Sequence, residues 1–213
     1  MSKAVLISIH PEWCNLIADG KKTVEIRKTV PREFFREYFK ESNGKCGDYF
    51  EPFKVYIYCT KADSYFDASH RFWLYSPPHD TPIQGNGKII GEFVCDKITE
   101  LAPINKADDT VEEKSCLSRE EIVRYLKGKG YAWNISDLVI YDKPKGLGAF
   151  RVQCKEYDKD RPRCGNCEYY YYESNESVSF YDECGCDGLK HITRPPQSWC
   201  YVEERNETES QHE

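Results

Sequence analysis

In the run Gly20-Lys21-Lys22-Thr23-Val24-Glu25-Ile26-Arg27, two ammonium groups, a hydroxyl, a carboxylate and a guanidinium follow directly on a glycine. Such a set has the chemistry of nucleotide recognition: Lys22 and Arg27 can donate to phosphate or to base carbonyls, while Glu25 accepts from an exocyclic amine or fixes Arg27. It also has the parts of an acid–base site, with a desolvated Lys22 activating water or a hydroxyl and Glu25 shuttling the proton. If residues 23–27 are extended, side chains alternate, so Thr23, Glu25 and Arg27 share one face and Val24 and Ile26 enter the core. The competing reading is a solvated strand edge whose Glu/Arg pair contributes only about 0–1 kcal/mol.

The elements before this run decide where it points. Ala4-Val5-Leu6-Ile7-Ser8-Ile9 is an apolar, β-branched run that reads as a buried strand. His10-Pro11 then opens a helix, with proline in the first turn where its missing N–H costs nothing. Trp13, Leu16 and Ile17 fall on one helical face, and Gly20 suits the stop because it tolerates the left-handed conformation. The order strand, short helix, glycine, polar-faced strand brings a helix N-terminus into the same small unit as Lys22, Glu25 and Arg27.

With those residues in place, residues 3–151 resemble the ASCH family, a branch of the PUA-like β-barrels that bind RNA or modified bases. The resemblance is carried by Ser8, Pro11 and the pattern G-x-K-x-x-E-x-R at Gly20, Lys22, Glu25 and Arg27. Later segments follow in order: Val55-Tyr56-Ile57-Tyr58-Cys59-Thr60-Lys61, Ile89-Ile90-Gly91-Glu92-Phe93 and Tyr131-Ala132-Trp133-Asn134-Ile135. The chain also looks similar to ASCH proteins of Gram-positive bacteria and their phages that carry a cysteine-containing C-terminal extension and a closing run like Arg194-Pro195-Pro196-Gln197-Ser198-Trp199. The resemblance implies a nucleotide cleft built from Ser8, Lys22, Thr23, Glu25, Arg27 and Lys61. Some relatives hydrolyse an acylated cytidine and others cleave RNA, with a pattern of Lys, Thr three positions on and a much later Glu. Here Lys22 matches, but Glu25 stands three positions on, Thr23 directly follows the lysine, and the late Glu finds no clear place at Glu120 or Glu121.

Composition bounds the alternatives. A chain of 213 residues is one domain of ordinary size plus an appendage. There is no run of 18 apolar residues and no cationic, apolar leader at the N-terminus, which leads to the expectation of a soluble, cytoplasmic protein without membrane contact. The net charge of −6 argues against a broad, sequence-blind nucleic-acid binder, yet the stretch 203–213 holds five Glu against one Arg and supplies most of that charge. That stretch reads as a disordered acidic tail.

Between the motif and the tail, Pro31 is expected to open a second helix in which Phe34 and Tyr38, and Phe35 and Phe39, pair at i, i+4. Residues 43–52 read as a loop and residues 53–60 as a strand ending at Lys61. Residues 62–87, rich in aromatics, read either as a lid with Arg71 that stacks on a base or, preferably, as a loop folded back on its own small core. Glu92 on the strand 88–96 is a second carboxylate, for which pairing with a lysine is the expected fate. Ser118-Arg119-Glu120-Glu121 is a capping box with Leu117 and Ile122 as a hydrophobic staple, and Gly128 should end that helix. Residues 131–135 and 138–141 supply closing strands before a turn at 144–148.

After Arg151 the composition changes. Of the eleven cysteines, Cys154, Cys164, Cys167, Cys184, Cys186 and Cys200 lie here. An odd count without an export signal favours thiols or metal ligation over disulfides. Cys164-Gly165-Asn166-Cys167 and Cys184-Gly185-Cys186 offer four thiolates to one tetrahedral ion, with zinc the expected occupant and Cys154, His191 or Cys200 as substitutes for one ligand. Buried structural thiols or a redox pair are the alternatives.

The sequence therefore leads to an α+β chain: an ASCH (PUA-like) small mixed β-barrel with peripheral helices over 1–151, a cysteine-rich, zinc-stapled extension over 152–202 packed on that barrel, and a disordered tail over 203–213. Binding of RNA or a modified nucleotide ranks first. An amidohydrolase or nuclease using Lys22 and Glu25 follows, and a regulatory module docking a protein partner comes third.

Overall fold

The computed structural model describes residues 3–39, 46–61, 71–74, 83–101, 109–154 and 188–204. The first half contains β1 (Ala4–Ile9), α1 (Pro11–Ala18), β2 (Val24–Arg27), β3 (Phe35–Phe39), β4 (Cys46–Phe50), β5 (Phe53–Cys59), β6 (Trp73–Leu74), β7 (Ile83–Gln84) and β8 (Lys88–Cys95). The second half contains β9 (Ile98–Glu100), α2 (Asp109–Ser115), α3 (Arg119–Leu126), β10 (Tyr131–Asn134), β11 (Ser136–Lys145), β12 (Phe150–Gln153), β13 (Leu189–His191) and β14 (Trp199–Glu204).

β1 is apolar at nearly every position because both of its faces are covered. It is the middle strand of a seven-stranded mixed sheet ordered β11-β8-β5-β1-β14-β12-β13, parallel to β5 and antiparallel to β14. Period-two alternation sorts its side chains. Val5, Ile7 and Ile9 join Val55, Ile57, Phe93 and Trp133 on one side, while Ala4 and Leu6 join Tyr56, Tyr58 and Phe150 on the other. A second, three-stranded sheet ordered β2-β10-β9 packs α2 and α3 against Val24, Ile26 and Ala132. Among the described residues these sheets stay open, so the chain is a mixed, sheet-dominated α+β fold rather than the expected closed barrel.

Four local expectations give way to tertiary pairing. The segment after Pro31 is a short 3-10 turn, Arg32–Phe34, followed by β3 rather than a helix. Its aromatic residues fit a pleated surface as well as an i, i+4 face, and β4, inside the stretch read as a loop, supplies the partner that decides between them. Phe34 stacks on Phe53 at 4.4 Å. The strand β11 continues through Pro144 and Lys145, so the turn begins later, and at the end of α3 it is Lys127, not Gly128, that takes the left-handed conformation (φ 54°). The Ser118/Glu121 capping box forms as expected.

Within the aromatic segment, residues 62–70 and 75–82 lie outside the described part. What is described is folded back: Phe72 enters the main core, its N–H donates to Asn86 Oδ1 at 2.9 Å, and β6 pairs with β7. Gly85 permits that approach, since a Cβ there would sit 2.5 Å from the Phe72 ring.

The C-terminal residues are integral to the main sheet. β14 lies between β1 and β12, with Ala4 opposite Val202 and Ile7 opposite Trp199. It continues through Glu204, two residues into the stretch read as a tail, and residues 205–213 are outside the described part. Cys164, Cys167, Cys184 and Cys186 also lie outside it.

Candidate functional site

The motif that opened the sequence reading lies on the floor of a cavity of about 600 Å³, within the range of small-molecule sites. The local chain dictates this. Pro11 starts α1, whose core face is Pro11, Cys14 and Ile17, leaving Trp13 half-buried at the cavity wall. Gly20 adopts φ +69°, and the N–H groups of Lys21 and Lys22 both donate to the Leu16 carbonyl at 2.9 Å. That tight turn separates the two lysines. The Lys21 side chain is 65 % exposed and meets Asp19, whereas that of Lys22 is 1 % exposed.

The Lys22 ammonium is fully engaged. It donates to the Ser115 carbonyl at 2.7 Å, lies 3.3 Å from Glu25 Oε2 and sits 5.4 Å from the centre of the Trp13 ring. Glu25 Oε1 in turn is 3.0 Å from Arg27 Nη2. Arg27 Nη2 donates to the Ser8 carbonyl at 2.7 Å, and Nη1 donates to Ser198 Oγ at 3.3 Å. The two cations and one carboxylate form a buried network with one net positive charge. Glu25 faces this side because β2 pairs with β10 in the register Glu25 opposite Trp133, whose ring belongs to the main core.

The structure thus brings Ser8, Lys22, Glu25 and Arg27 together at one cavity. Thr23 stands beside it, tied through its backbone to Lys114 and Ile135. Lys61 is exposed and outside the lining, where its neighbour Thr60 is found instead. Glu92 is engaged elsewhere, paired with Lys54 at 2.7 Å and hydrogen-bonded by the Tyr141 hydroxyl.

Several lining residues were not legible as such. Glu121, Arg124 and Tyr125 come from α3, and Gln197 comes from the C-terminal run. The i, i+3, i+4 spacing of the three α3 residues was the available signal, but the capping role of Glu121 masked it. The carboxylate of Glu121 does both, and the Ser118 backbone N–H that it accepts holds its pKa below the usual value. Ser115, at the end of α2, had no sequence signal at all because it contributes only a carbonyl.

Among the described residues no group of three or more His, Cys, Asp or Glu is arranged to hold a metal. Of the substitute ligands, the Cys154 N–H donates to the Gly188 carbonyl at 2.7 Å and His191 Nδ1 is 2.9 Å from the Gly148 carbonyl. Cys200 lies on β14, where burial pushes its thiol up to about 11.

The fold and cavity define an α+β protein in which an open mixed sheet, a smaller sheet and the helices α1 and α3 meet around a cavity with a buried charge network on its floor. The ASCH domain profile matches residues 7–161, and the chain belongs to the ASCH domain family. Among solved structures it is similar to the ASCH protein of Zymomonas mobilis, at 19 % identity over 68 % of this chain and 73 % of that one, with a TM-score of 0.41. A serine-to-alanine variant of that protein aligns with the same identity and TM-score, covering 68 % of this chain and 74 % of the other. A tyrosine-to-phenylalanine variant aligns at a TM-score of 0.37, again with 19 % identity, covering 68 % and 77 %. No curated protein matches the chain.

Proposed function

We propose that the cavity binds single-stranded RNA or a modified nucleotide and that the protein is a recognition module rather than a hydrolase. The observation that carries this reading is the combination at one cavity of a buried, net-positive floor with Trp13 and Tyr125 rings and the exposed Arg124 on its walls. Aromatic rings stack on bases regardless of sequence, and a cation at the rim meets the phosphate. Lys28, 4.9 Å from the Tyr125 ring centre, places a further cation behind that wall. In this reading Lys22 supports the floor from within, since its ammonium is spent on Ser115, Glu25 and Trp13. Membership among ASCH proteins of bacteria and phages with a cysteine-containing extension, and a cytoplasmic location, belong to the same proposal.

The variants suited to a binding test are those whose side chains are exposed. Crosslinking of the full chain to cellular RNA is expected to capture transcripts, and Arg124→Ala or Tyr125→Ala is expected to reduce capture about fivefold or more, since one stacked base is worth about 1–3 kcal/mol. Absence of captured RNA, or equal capture by both variants, defeats the reading.

Zinc bound by Cys164, Cys167, Cys184 and Cys186, with Cys154, His191 or Cys200 as substitutes, is proposed on cysteine spacing. Elemental analysis should find about one zinc per chain. A native thiol titration must be read against the core: burial pushes the Cys14 thiol well up and the Cys95 thiol up to about 12, and Cys59 is wholly buried, so these three stay slow to alkylate with or without metal. A metal-free protein whose four proposed ligands react like exposed thiols rules zinc out.

A further inference from the structure

We propose that Gln197 reads the edge of the bound base, so that the C-terminal run supplies the specificity of a pocket whose charged floor comes from the N-terminal motif. This rests on the nucleotide-binding reading above.

The backbone on both sides of Gln197 is pinned. The Ser8 hydroxyl donates to the Pro196 carbonyl at 2.6 Å, and the Ser8 N–H donates to the Ser198 carbonyl at 2.9 Å. Arg27 holds Ser198 Oγ, and the Trp199 indole N–H donates to Thr29 Oγ1 at 3.0 Å. Pro195 and Pro196 restrict φ on the approach. Residues 196–199 therefore form a strap tied to β1 and to the C-terminal end of the motif, and two of its anchors, Ser8 and Arg27, themselves line the cavity. Gln197 is the strap residue that lines it too.

Its chemistry differs from that of its neighbours. Lys22 and Arg27 are committed to Glu25 and to backbone oxygens, the Ser8 hydroxyl is committed to Pro196, and Glu121 accepts the N–H of Ser118 at 2.8 Å. Arg124 is charged and suits a phosphate. Gln197 is exposed, and among the described residues its amide has no hydrogen-bond partner. An amide presents a donor and an acceptor side by side, the complement of the adjacent donor and acceptor on a nucleobase edge. An exposed glutamine on a slack loop would lose much of that advantage to ordering, whereas a pinned strap has already restricted its backbone.

The network also has a feature that stability does not explain. Arg27 Nε is buried without a hydrogen-bond partner, although an unsatisfied buried donor is unfavourable. The same guanidinium divides its other nitrogens among Glu25, the Ser8 carbonyl and Ser198 Oγ, and so ties both anchors of the strap to the cavity floor. Arg27 is thus a positioning residue for Gln197.

The test uses the full-length protein and four short single-stranded RNAs that differ only in the central nucleotide, with affinity read by fluorescence anisotropy. The wild type is expected to rank the four. Gln197→Ala should weaken the preferred RNA by about 5- to 150-fold, the range of one bidentate side chain–base pair, and flatten the ranking. Gln197→Glu, which only accepts, should reorder it in favour of the amino-bearing bases adenine, cytosine and guanine at the expense of uracil. A lost packing role would not reorder bases, and unchanged thermal melts would show that both variants fold. If the wild type binds none of the four, the nucleotide reading and this inference fail together. If it binds without ranking them, or if both variants keep the wild-type ranking and affinity, the Gln197 assignment alone is overturned.

Discussion

Glu25→Ala is expected to destabilise the protein by about 3–5 kcal/mol, because it leaves two buried cations without their shared counter-charge. The Lys22 and Arg27 side chains are only 1 % and 7 % exposed, and Glu25 lies between them at 3.3 and 3.0 Å. For a chain of this size the loss corresponds to a fall in Tm of roughly 6–20 °C. The neighbouring Lys21→Ala is the control: its side chain is 65 % exposed and its Asp19 pair is on the surface, so a change within about 0.5 kcal/mol is expected. Thermal and urea melts of the two variants check both numbers. A Glu25→Ala protein melting within about 2 °C of wild type would mean that water from the cavity compensates the two cations in place of the carboxylate. The same logic explains why Lys22→Ala, an obvious choice from the motif alone, is a poor probe of binding: loss of function in that variant would be confounded with loss of the floor.

A fragment of residues 1–151 is expected not to fold cooperatively, although it contains nearly all of the motifs that carry the family resemblance. It lacks β14, which covers one edge of β1, and β13, which pairs with β12. Val202 and Ile192, 2 % and 6 % exposed, bring about 1.5–3 kcal/mol each through burial. Trp199 closes on Trp133 at 6.1 Å between ring centres. Without β14 the backbone of β1, in the middle of the sheet, loses half of its partners, and the total is comparable with the whole stability margin of about 5–15 kcal/mol. Circular dichroism melts and limited proteolysis of the fragment beside the full chain would test this. A sharp melt near the wild-type Tm would show that the N-terminal portion is autonomous. The family match over 7–161 ends before β14, whereas the sheet built on β1 includes it.

Much of the local structure was legible because local chemistry decided it. The apolar run 4–9, the proline-started helix, the left-handed Gly20, the alternation in residues 23–27 and the Ser118/Glu121 box each have a short-range cause, and each forms. Failures occurred where a distant segment cast the deciding vote. Phe34, Phe35, Tyr38 and Phe39 suit helix and strand alike, and β4 made residues 35–39 a strand. β5 ends at Cys59, two residues short of Lys61, and Thr60 is the residue there that lines the cavity.

By itself the sequence determined that Glu25 and Arg27 would share one face of a strand directly after a lysine-bearing turn, because residue spacing and β alternation are local and admit few alternatives. It left open which of Lys21 and Lys22 would be buried, since both lie in one turn, and it assigned the C-terminal run to an extension. Only the tertiary structure decided these points. The Leu16 carbonyl sets the turn, the Ser115 carbonyl draws Lys22 inward, and β1 needs a partner on its second edge, which β14 supplies. Such contacts depend on backbone atoms that every residue carries, so no side-chain pattern announces them; they bring Gln197 to the cavity that the opening motif floors.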